Sequence, residues 1–248
     1  MKSYENYSYS AFFNPLSSPD PLVVPAHSIN QFYTWDALLK QQDLFKAQAP
    51  SLLLRSLSYR ADYSGGACFI AVFAEVSGGA QGFFSNQDWE VFETNFNNSN
   101  LHLADLTIQW RSDNPNSEPS TPRFISIWDG WGDRIPVKQS MLSGDTMDWY
   151  NFNKQMTIRI QAGERLVKIR AYPAAGTFHL IGIFEESKTP GASSLVRWTE
   201  KEFNAAVNTL NTIWNYIGDL EVIDIDGDRF YLVIIDDDAP EMFRGIVE

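Results

Sequence analysis

Apolar and polar positions follow two kinds of spacing along the chain. Apolar residues three or four apart, as at Phe203, Ala206, Leu210 and Trp214, predict helices with one buried stripe. Short runs rich in β-branched and aromatic residues, bounded by Gly, Pro, Asn or Asp, predict strands. The run FHLIGIF, residues 178–184, is apolar at nearly every position, which is typical of a strand buried on both faces.

The same order of predicted elements recurs four times. Four tryptophans stand at intervals of 49 to 60 residues: Trp35, Trp89, Trp149 and Trp198. Each heads a segment with helical spacing, which is followed by a strand–turn–strand pattern. A third strand is expected at the end of each repeat, in AQGFFS, DRIPVKQ, ASSLVRW and MFRGIVE. The sequence therefore predicts four repeats of a helix and a short antiparallel meander.

Local signals set the expected boundaries of these elements. The predicted helix caps are Thr34 in the first repeat, Ser85 with Asp88 in the second, and Thr199 with Glu202 in the fourth. The third helix is expected to end near Met156, because β-branched residues follow. The sequence DGD, residues 226–228, predicts a tight hairpin turn in the fourth repeat.

The repeats define the expected organisation of the chain. Residues 1–30, rich in Ser, Tyr, Asn and Pro, are expected to form an extended arm, and residues 31–248 a single repeat domain. The expected repeats span residues 31–85, 86–142, 143–197 and 198–248. One repeat cannot bury both a helix stripe and a sheet face, so neighbours must stack. The predicted fold is α+β, with four helix-plus-meander repeats in a ring or propeller-like array and the arm laid across it.

The segment GERLVKIRAY, residues 163–172, and the pattern shared by the repeats carry a family resemblance. The chain resembles the bacterial tandem repeat domain found beside serine-hydrolase domains, as in the fungal polyglycine hydrolases. The matching residues are Gly163, Arg165, Leu166, Ile169 and Tyr172 in the third repeat and Phe124, Ile127 and Trp128 in the second. The resemblance covers about Trp35 to Asp236 and implies a propeller-like array. The hydrolase activity belongs to a separate domain with a Ser-x-x-Lys motif, which this chain lacks, so that activity does not carry over.

Composition and charge exclude several classes of partner. The formal charge is −12 and the sequence pI is about 4.7, with no Lys/Arg cluster longer than two residues. This disfavours nucleic acid and anionic membrane surfaces as partners. The chain has no apolar segment of spanning length and no signal peptide, so a cytoplasmic location is expected. Cys68 is the only cysteine, so no intrachain disulfide can form.

The sequence WDGWGDR, residues 128–134, is the predicted ligand-binding site. Its members are Trp128, Asp129, Trp131, Asp133 and Arg134. Aromatic rings flanked by carboxylates and a guanidinium on a Gly-rich turn suit a sugar ring or a peptide. The alternative is that Trp128 ends a core strand and Trp131 covers the next repeat.

A second candidate is a calcium site in the acidic tract DIDGDRF. Alternating carboxylates at Asp224, Asp226 and Asp228 can supply oxygens to Ca²⁺. The twelfth position from Asp224 is Ile235, however, where a calcium loop would carry a bidentate Glu. The hairpin turn accounts for the same residues without a metal, and no other cofactor is expected.

These observations favour non-enzymatic recognition of a carbohydrate or a protein partner through the inter-strand loops. One alternative is an enzyme whose site lies between repeats and uses His102 or His179 with carboxylates. Another is an acidic, immunity-type partner protein that binds a basic target. His179 shares a strand face with Ile181 and Ile183, so a packed core histidine is expected there.

Overall fold

The structure is a computed structural model that describes residues 6–7, 27–32, 34–48, 52–61, 67–75, 81–110, 122–130, 136–143, 149–174, 177–187, 193–209, 217–225 and 228–236. Contacts within the chain divide it into two compact units. The N-terminal unit is Asp20–Pro136, and the C-terminal unit combines Met1–Pro19 with Val137–Glu248. A single repeat domain over residues 31–248 stays a prediction.

The described residues form thirteen strands and four helices. In chain order they are β1 Asn6–Tyr7, β2 His27–Phe32, α1 Trp35–Gln48, β3 Leu52–Ala61, β4 Ala67–Glu75, β5 Gln81–Gln87, α2 Trp89–Asn98, β6 His102–Trp110, β7 Pro122–Asp129, β8 Gln139–Ser143, α3 Trp149–Gln161, β9 Glu164–Ala174, β10 Thr177–Glu186, β11 Ser193–Thr199, α4 Glu200–Thr209, β12 Ile217–Ile225 and β13 Asp228–Asp236. None of these helices is long and apolar enough to cross a membrane.

One strand order recurs in four small antiparallel sheets. We number them sheet 1 (β2-β4-β3), sheet 2 (β5-β7-β6), sheet 3 (β8-β10-β9) and sheet 4 (β11-β13-β12, with β1 beyond β12). In each, a strand before the helix and the first strand after it flank the last strand of the repeat. The α+β class, with four helices and small antiparallel sheets, is therefore confirmed for the part of the chain that the structure describes.

The predicted third strand of each repeat is wrong in its assignment. Gln81–Gln87, expected to close the first repeat, pairs with β7 and so opens the second. Ser193–Thr199 likewise pairs with β13. Strand β8 begins at Gln139, the last residue of the predicted strand DRIPVKQ. The predicted strand MFRGIVE, residues 242–248, lies outside the described residues. The residue pattern of a short strand does not specify the strand with which it pairs. The pairing is set instead by the chain connection through the following helix. His27–Phe32, placed partly in the arm, is the corresponding edge strand of sheet 1.

The helix starts follow the local signals at most positions. Three helices begin at the predicted tryptophans, and the Thr34 cap is confirmed by a 3.2 Å hydrogen bond from the Ala37 amide. Asp88, and not Ser85, caps α2, because its carboxylate accepts the Val91 amide at 2.9 Å. In the fourth repeat Trp198 lies in β11, and the helix starts two residues later.

The third helix runs five residues beyond the predicted end at Met156. Thr157 is accommodated in the helix because its hydroxyl donates to the Asn153 carbonyl at 2.8 Å. The helix stops where Gly163 takes a φ of +90°, a left-handed conformation that glycine adopts without a Cβ clash. Tertiary packing of the buried Phe152 and Met156 outweighs the low helix propensity of the β-branched residues.

Each unit has a core that joins a helix to two sheets. In the N-terminal unit, Leu38 of α1 packs with residues of sheet 1 and with Ile125 and Ile127 of sheet 2. In the C-terminal unit, Phe152 of α3 packs with residues of sheet 3 and with Leu232 of sheet 4. Successive side chains of a strand alternate between the two faces of its sheet. Sheets 2 and 4 therefore pack one face into this core and the opposite face against their own helices, α2 and α4.

Buried carboxylates of sheets 2 and 4 bind the edge strand of the preceding sheet. In the N-terminal unit, Asp105 Oδ2 accepts the Leu57 amide at 3.0 Å and the Ser56 hydroxyl at 2.8 Å. The Thr107 hydroxyl donates to the Leu57 carbonyl on the same edge. Asp105 is fully buried, so its carboxylate depends on these donors. We call this contact the carboxylate joint.

The C-terminal unit contains an equivalent carboxylate joint. Asp219 Oδ2 accepts the Ile169 amide at 2.9 Å and Arg170 Nη1 at 2.6 Å. Glu221 accepts the Ala171 amide at 3.4 Å, two residues further along both strands. The two joints differ in their extra donors, which are a serine hydroxyl in one unit and a buried guanidinium in the other.

A one-residue bulge precedes each joint. The strand register shifts around Ala104, just before Asp105, and around Gly218, just before Asp219. The corresponding strands of sheets 1 and 3 are bulged at Arg55 and Val167. A bulge turns the strand and re-aims the next side chain, so it directs the carboxylate out of its own sheet.

The joint of the C-terminal unit can be tested by Asp219→Ala. The substitution removes the carboxylate that accepts Arg170 Nη1, and the Arg170 side chain is 1% exposed. We expect the free energy of unfolding to fall by about 3–5 kcal/mol in urea denaturation. Asp228→Ala, at an exposed position of the same sheet, should change it by less than about 0.5 kcal/mol. A loss below about 1 kcal/mol for Asp219→Ala would contradict a stabilising joint.

The predicted capping box of α4 is confirmed and has a pH signature. The Glu202 carboxylate accepts the Thr199 amide and hydroxyl, each at 2.7 Å, and these bonds hold the pKa of Glu202 below 4.5. The capping contribution is therefore complete above about pH 4.5 and is lost as the pH falls through the lower folded-state pKa. Because the pair lies at the surface, we expect Glu202→Gln to cost a few tenths of a kcal/mol at pH 7 and less near pH 3. A pH-independent difference between wild type and variant would argue against this.

Candidate functional site

The predicted ligand-binding residues fall at the end of β7 and in the sequence that follows it. Trp128 and Asp129 are the last two residues of β7. Trp131, Asp133 and Arg134 lie outside the described residues, so their part in a site stays a prediction. The geometry of the site is therefore built from the end of β7 and the side chains around it.

Trp128 is a core residue and does not form a stacking platform. Its side chain is 1% exposed, and its ring centroid lies 6.0 Å from that of Phe96 on α2. The indole Nε1 donates to the Ser126 hydroxyl at 2.8 Å, and that hydroxyl donates to Gln87 Oε1 at 2.7 Å. The prediction that Trp128 contacts a ligand is corrected on this point, because a buried and hydrogen-bonded ring has no free face.

Asp129 points to the opposite face of β7 and is held by two side chains from other strands. It is 2% exposed and forms an ion pair with Arg55 of β3, whose side chain is 17% exposed. Gln81 Nε2 donates to Asp129 Oδ1 at 3.3 Å and to the Leu54 carbonyl at 2.6 Å. The carboxylate is thus bonded from the edge strand of its own sheet and from the neighbouring sheet.

His102 stands beside this carboxylate in the sheet. Residues directly opposite in antiparallel strands project to the same face, and Asp129 is opposite both Gln81 and His102. We call these residues the Asp129 cluster: Arg55, Gln81, His102 and Asp129. His102 was predicted to use a carboxylate between repeats, and that pairing stays a prediction; the strand register places His102 opposite Asp129 of its own sheet.

Neither Arg55 nor Gln81 was predicted from the sequence to be part of the site. A signal for Arg55 was present, since it is the one charged residue within the apolar run LLLRSL, and a charge in such a run requires a partner. Its position at the register shift of β3 turns the side chain toward sheet 2. Gln81 carries no comparable signal, because glutamine is common at strand ends.

The arrangement of the Asp129 cluster favours a fixed carboxylate over a reacting one. The Asp129 carboxylate is buried and compensated by a guanidinium, which is the condition under which a buried charge is stable. It also holds the last residue of β7, directly before Gly130 and residues 131–135. The cluster therefore fixes the strand end after which the remaining predicted ligand-binding residues follow in the sequence.

The other predicted site residues occupy separate places. His179 is 7% exposed and stacks on Tyr172, with ring centroids 5.2 Å apart, as expected for a packed histidine. The remaining histidine of the chain, His27, lies in β2, but its side chain is outside the described residues.

The predicted calcium ligands lie at the β12–β13 hairpin. Ile225 pairs with Asp228, which leaves a two-residue connection as the DGD sequence predicts. Asp228 is exposed, whereas the side chains of Asp224 and Asp226 are outside the described residues. Among the residues that the structure does describe, no three His, Cys, Asp or Glu side chains form a group that could hold a metal ion. A calcium site there stays a prediction.

No family model, curated protein or solved structure matches this chain. The resemblance to the bacterial tandem repeat domain therefore stays a prediction. The chemistry of the Asp129 cluster and of the loop it anchors is what bears on function.

The Asp129 cluster can be tested by a double-mutant cycle of Arg55→Ala and Asp129→Ala. Since each partner compensates the other in a buried site, we expect a coupling energy of about 1–3 kcal/mol in the free energy of unfolding. The matched control pairs Asp129→Ala with Lys40→Ala, an exposed lysine on α1 of the same unit, and should show no coupling. Equal coupling energies in the two cycles would show that Arg55 does not hold Asp129.

Proposed function

We propose that the protein is a non-enzymatic recognition module that binds a protein partner through the loop after β7, residues 130–135. The observation that supports this most strongly is the anchoring of Asp129 by Arg55 and Gln81 at the base of that loop. A loop that leaves a fixed strand end loses less conformational freedom on binding, and this increases affinity. The residues that would contact the partner are Trp131, Asp133 and Arg134.

Two observations favour a protein partner over a carbohydrate. The burial of Trp128 removes one of the two rings on which a sugar could stack, and leaves Trp131 as the loop's remaining indole. The formal charge of −12 favours association with a basic surface, which fits the immunity-type alternative as one form of this function. A carbohydrate is the second class of ligand for the same loop.

We further propose that the four sheets form a ring or propeller-like array. Support comes from the strand order shared by all four sheets and from the joint that links consecutive sheets within each unit. In such an array the loops that follow the last strand of each repeat would lie on equivalent positions. Recognition would then depend on the loops in which the repeats differ.

An enzymatic function is the second candidate, because His102 lies directly opposite Asp129 in sheet 2. A histidine beside a carboxylate is a common arrangement for general acid–base catalysis. The ion pair of Asp129 with Arg55 weighs against this role, since it binds the carboxylate that would orient the histidine. Recognition is therefore the better supported function.

The recognition function can be tested with Trp131→Ala on a partner captured from a proteome-wide affinity screen and then purified. We expect the variant to bind at least tenfold more weakly in calorimetry, because one buried aromatic anchor commonly contributes about 2 kcal/mol or more. The control Tyr150→Ala removes an aromatic residue that is 74% exposed on α3, and should change affinity less than about twofold.

Parallel assays separate the alternatives. Binding on a glycan array that disappears in Trp131→Ala would assign the loop to a carbohydrate instead. A hydrolytic activity abolished by His102→Ala but retained in Trp131→Ala would establish the enzyme. Unchanged binding to the captured partner in Trp131→Ala would refute recognition by this loop.

A further inference from the structure

Sheet 4 differs from the other three sheets in having a fourth strand. In sheets 1, 2 and 3, as far as they are described, the strand that follows the helix is terminal in its sheet. In sheet 4 that strand is β12, and β1 pairs with its outer side. The pairing is antiparallel and places Asn6 opposite Ile223 and Tyr7 opposite Val222.

Side chains cover outer backbone amides on one terminal strand each of sheets 1 and 3. Asp105 covers the Leu57 amide on β3, and Asp219 and Glu221 cover two amides on β9. Covering an edge in this way prevents it from pairing with another chain. On β12 the outer edge is covered by main chain, from residues 6 and 7.

The strand that covers β12 comes from a distant part of the sequence. Asn6 and Ile223 are more than 200 residues apart. Residues 1–19 belong to the C-terminal unit, although residues 20–136, which follow them directly, make up the N-terminal unit. The N-terminal segment therefore contributes to its unit by strand addition and not by continuity of the chain.

We propose that the outer edge of β12 at Val222 and Ile223 is a strand-acceptor site, and that its ligand is the N-terminal segment of this chain. Strand addition draws its affinity from main-chain hydrogen bonds, so it requires an extended peptide and no covalent link. The segment occupies the site in cis in the intact chain. The same segment supplied as a separate peptide binds there once the cis segment is released.

The acceptor edge is held in place by pairing with the central strand of its own sheet. On the other side of β12, Val222 pairs with Tyr231 and Ile223 with Phe230 of the central strand β13. The side chains of Val222 and Ile223 are 2% and 3% exposed, which fixes the orientation of the strand. An edge fixed by its own sheet requires little reorganisation to accept a second strand.

The experiment uses the full chain with a protease site inserted between residues 19 and 20, so that folding precedes cleavage. The probe is a fluorescent peptide of residues 1–12. We expect the cleaved protein to bind the probe saturably by fluorescence anisotropy, and the uncleaved protein to bind it at least tenfold more weakly. A probe with N-methyl groups at Asn6 and Tyr7 keeps the side chains but loses two amide donors, and should bind the cleaved protein at least tenfold more weakly.

Co-elution of the cleaved segment with the protein in gel filtration, together with its release by excess unlabelled peptide, would also support the site. Equal binding of the probe by cleaved and uncleaved protein would overturn it, because occupancy in cis would then be irrelevant. Equal binding of the two probes would overturn it by excluding main-chain pairing. Loss of the segment after cleavage with no binding of the probe would overturn it as well. None of these results depends on the loop after β7.

Discussion

The carboxylates of Asp105 and Asp219 each accept a backbone amide from the outer edge of a terminal strand of the preceding sheet, β3 or β9. A three-stranded sheet cannot satisfy the outer backbone groups of its terminal strands, and those groups cost free energy if they are buried without partners. The carboxylates supply the missing acceptors, while the amides and the added Ser56 or Arg170 donors supply what a buried carboxylate requires. Each group thus makes the burial of the other possible.

The other features of each unit depend on this contact. The bulges that precede Asp105 and Asp219 direct the carboxylates out of their own sheets, and the bulge at Arg55 directs a guanidinium the other way, onto Asp129. The sheets that the joint brings together share a hydrophobic core with α1 in one unit and α3 in the other. The Asp129 cluster is therefore a second link between sheets 1 and 2, placed at the base of a loop.

Local elements were predictable from the sequence, whereas their partners were not. The starts of α1, α2 and α3 and the hairpin at Asp228 depend on caps, period and turn residues within a few positions. The pairing of β5 with β7, and the ion pair of Arg55 with Asp129, join residues far apart in sequence, and no local pattern specifies them. A small-residue–Asp–Leu sequence occurs in both joints, as ADL and GDL, and would have marked the two carboxylates.

Amide hydrogen exchange measures directly whether the carboxylate joints make amides at the edge of a sheet behave as interior ones. In the wild type, the Leu57 and Ile169 amides should exchange as slowly as those of the central strands β4 and β10, although both lie on terminal strands. In Asp105→Ala, the Leu57 amide should exchange much faster than the amides of β4, and the exchange rate of the Ile169 amide should not change. Exchange of both amides at the rate of exposed edge residues in the wild type would contradict the account.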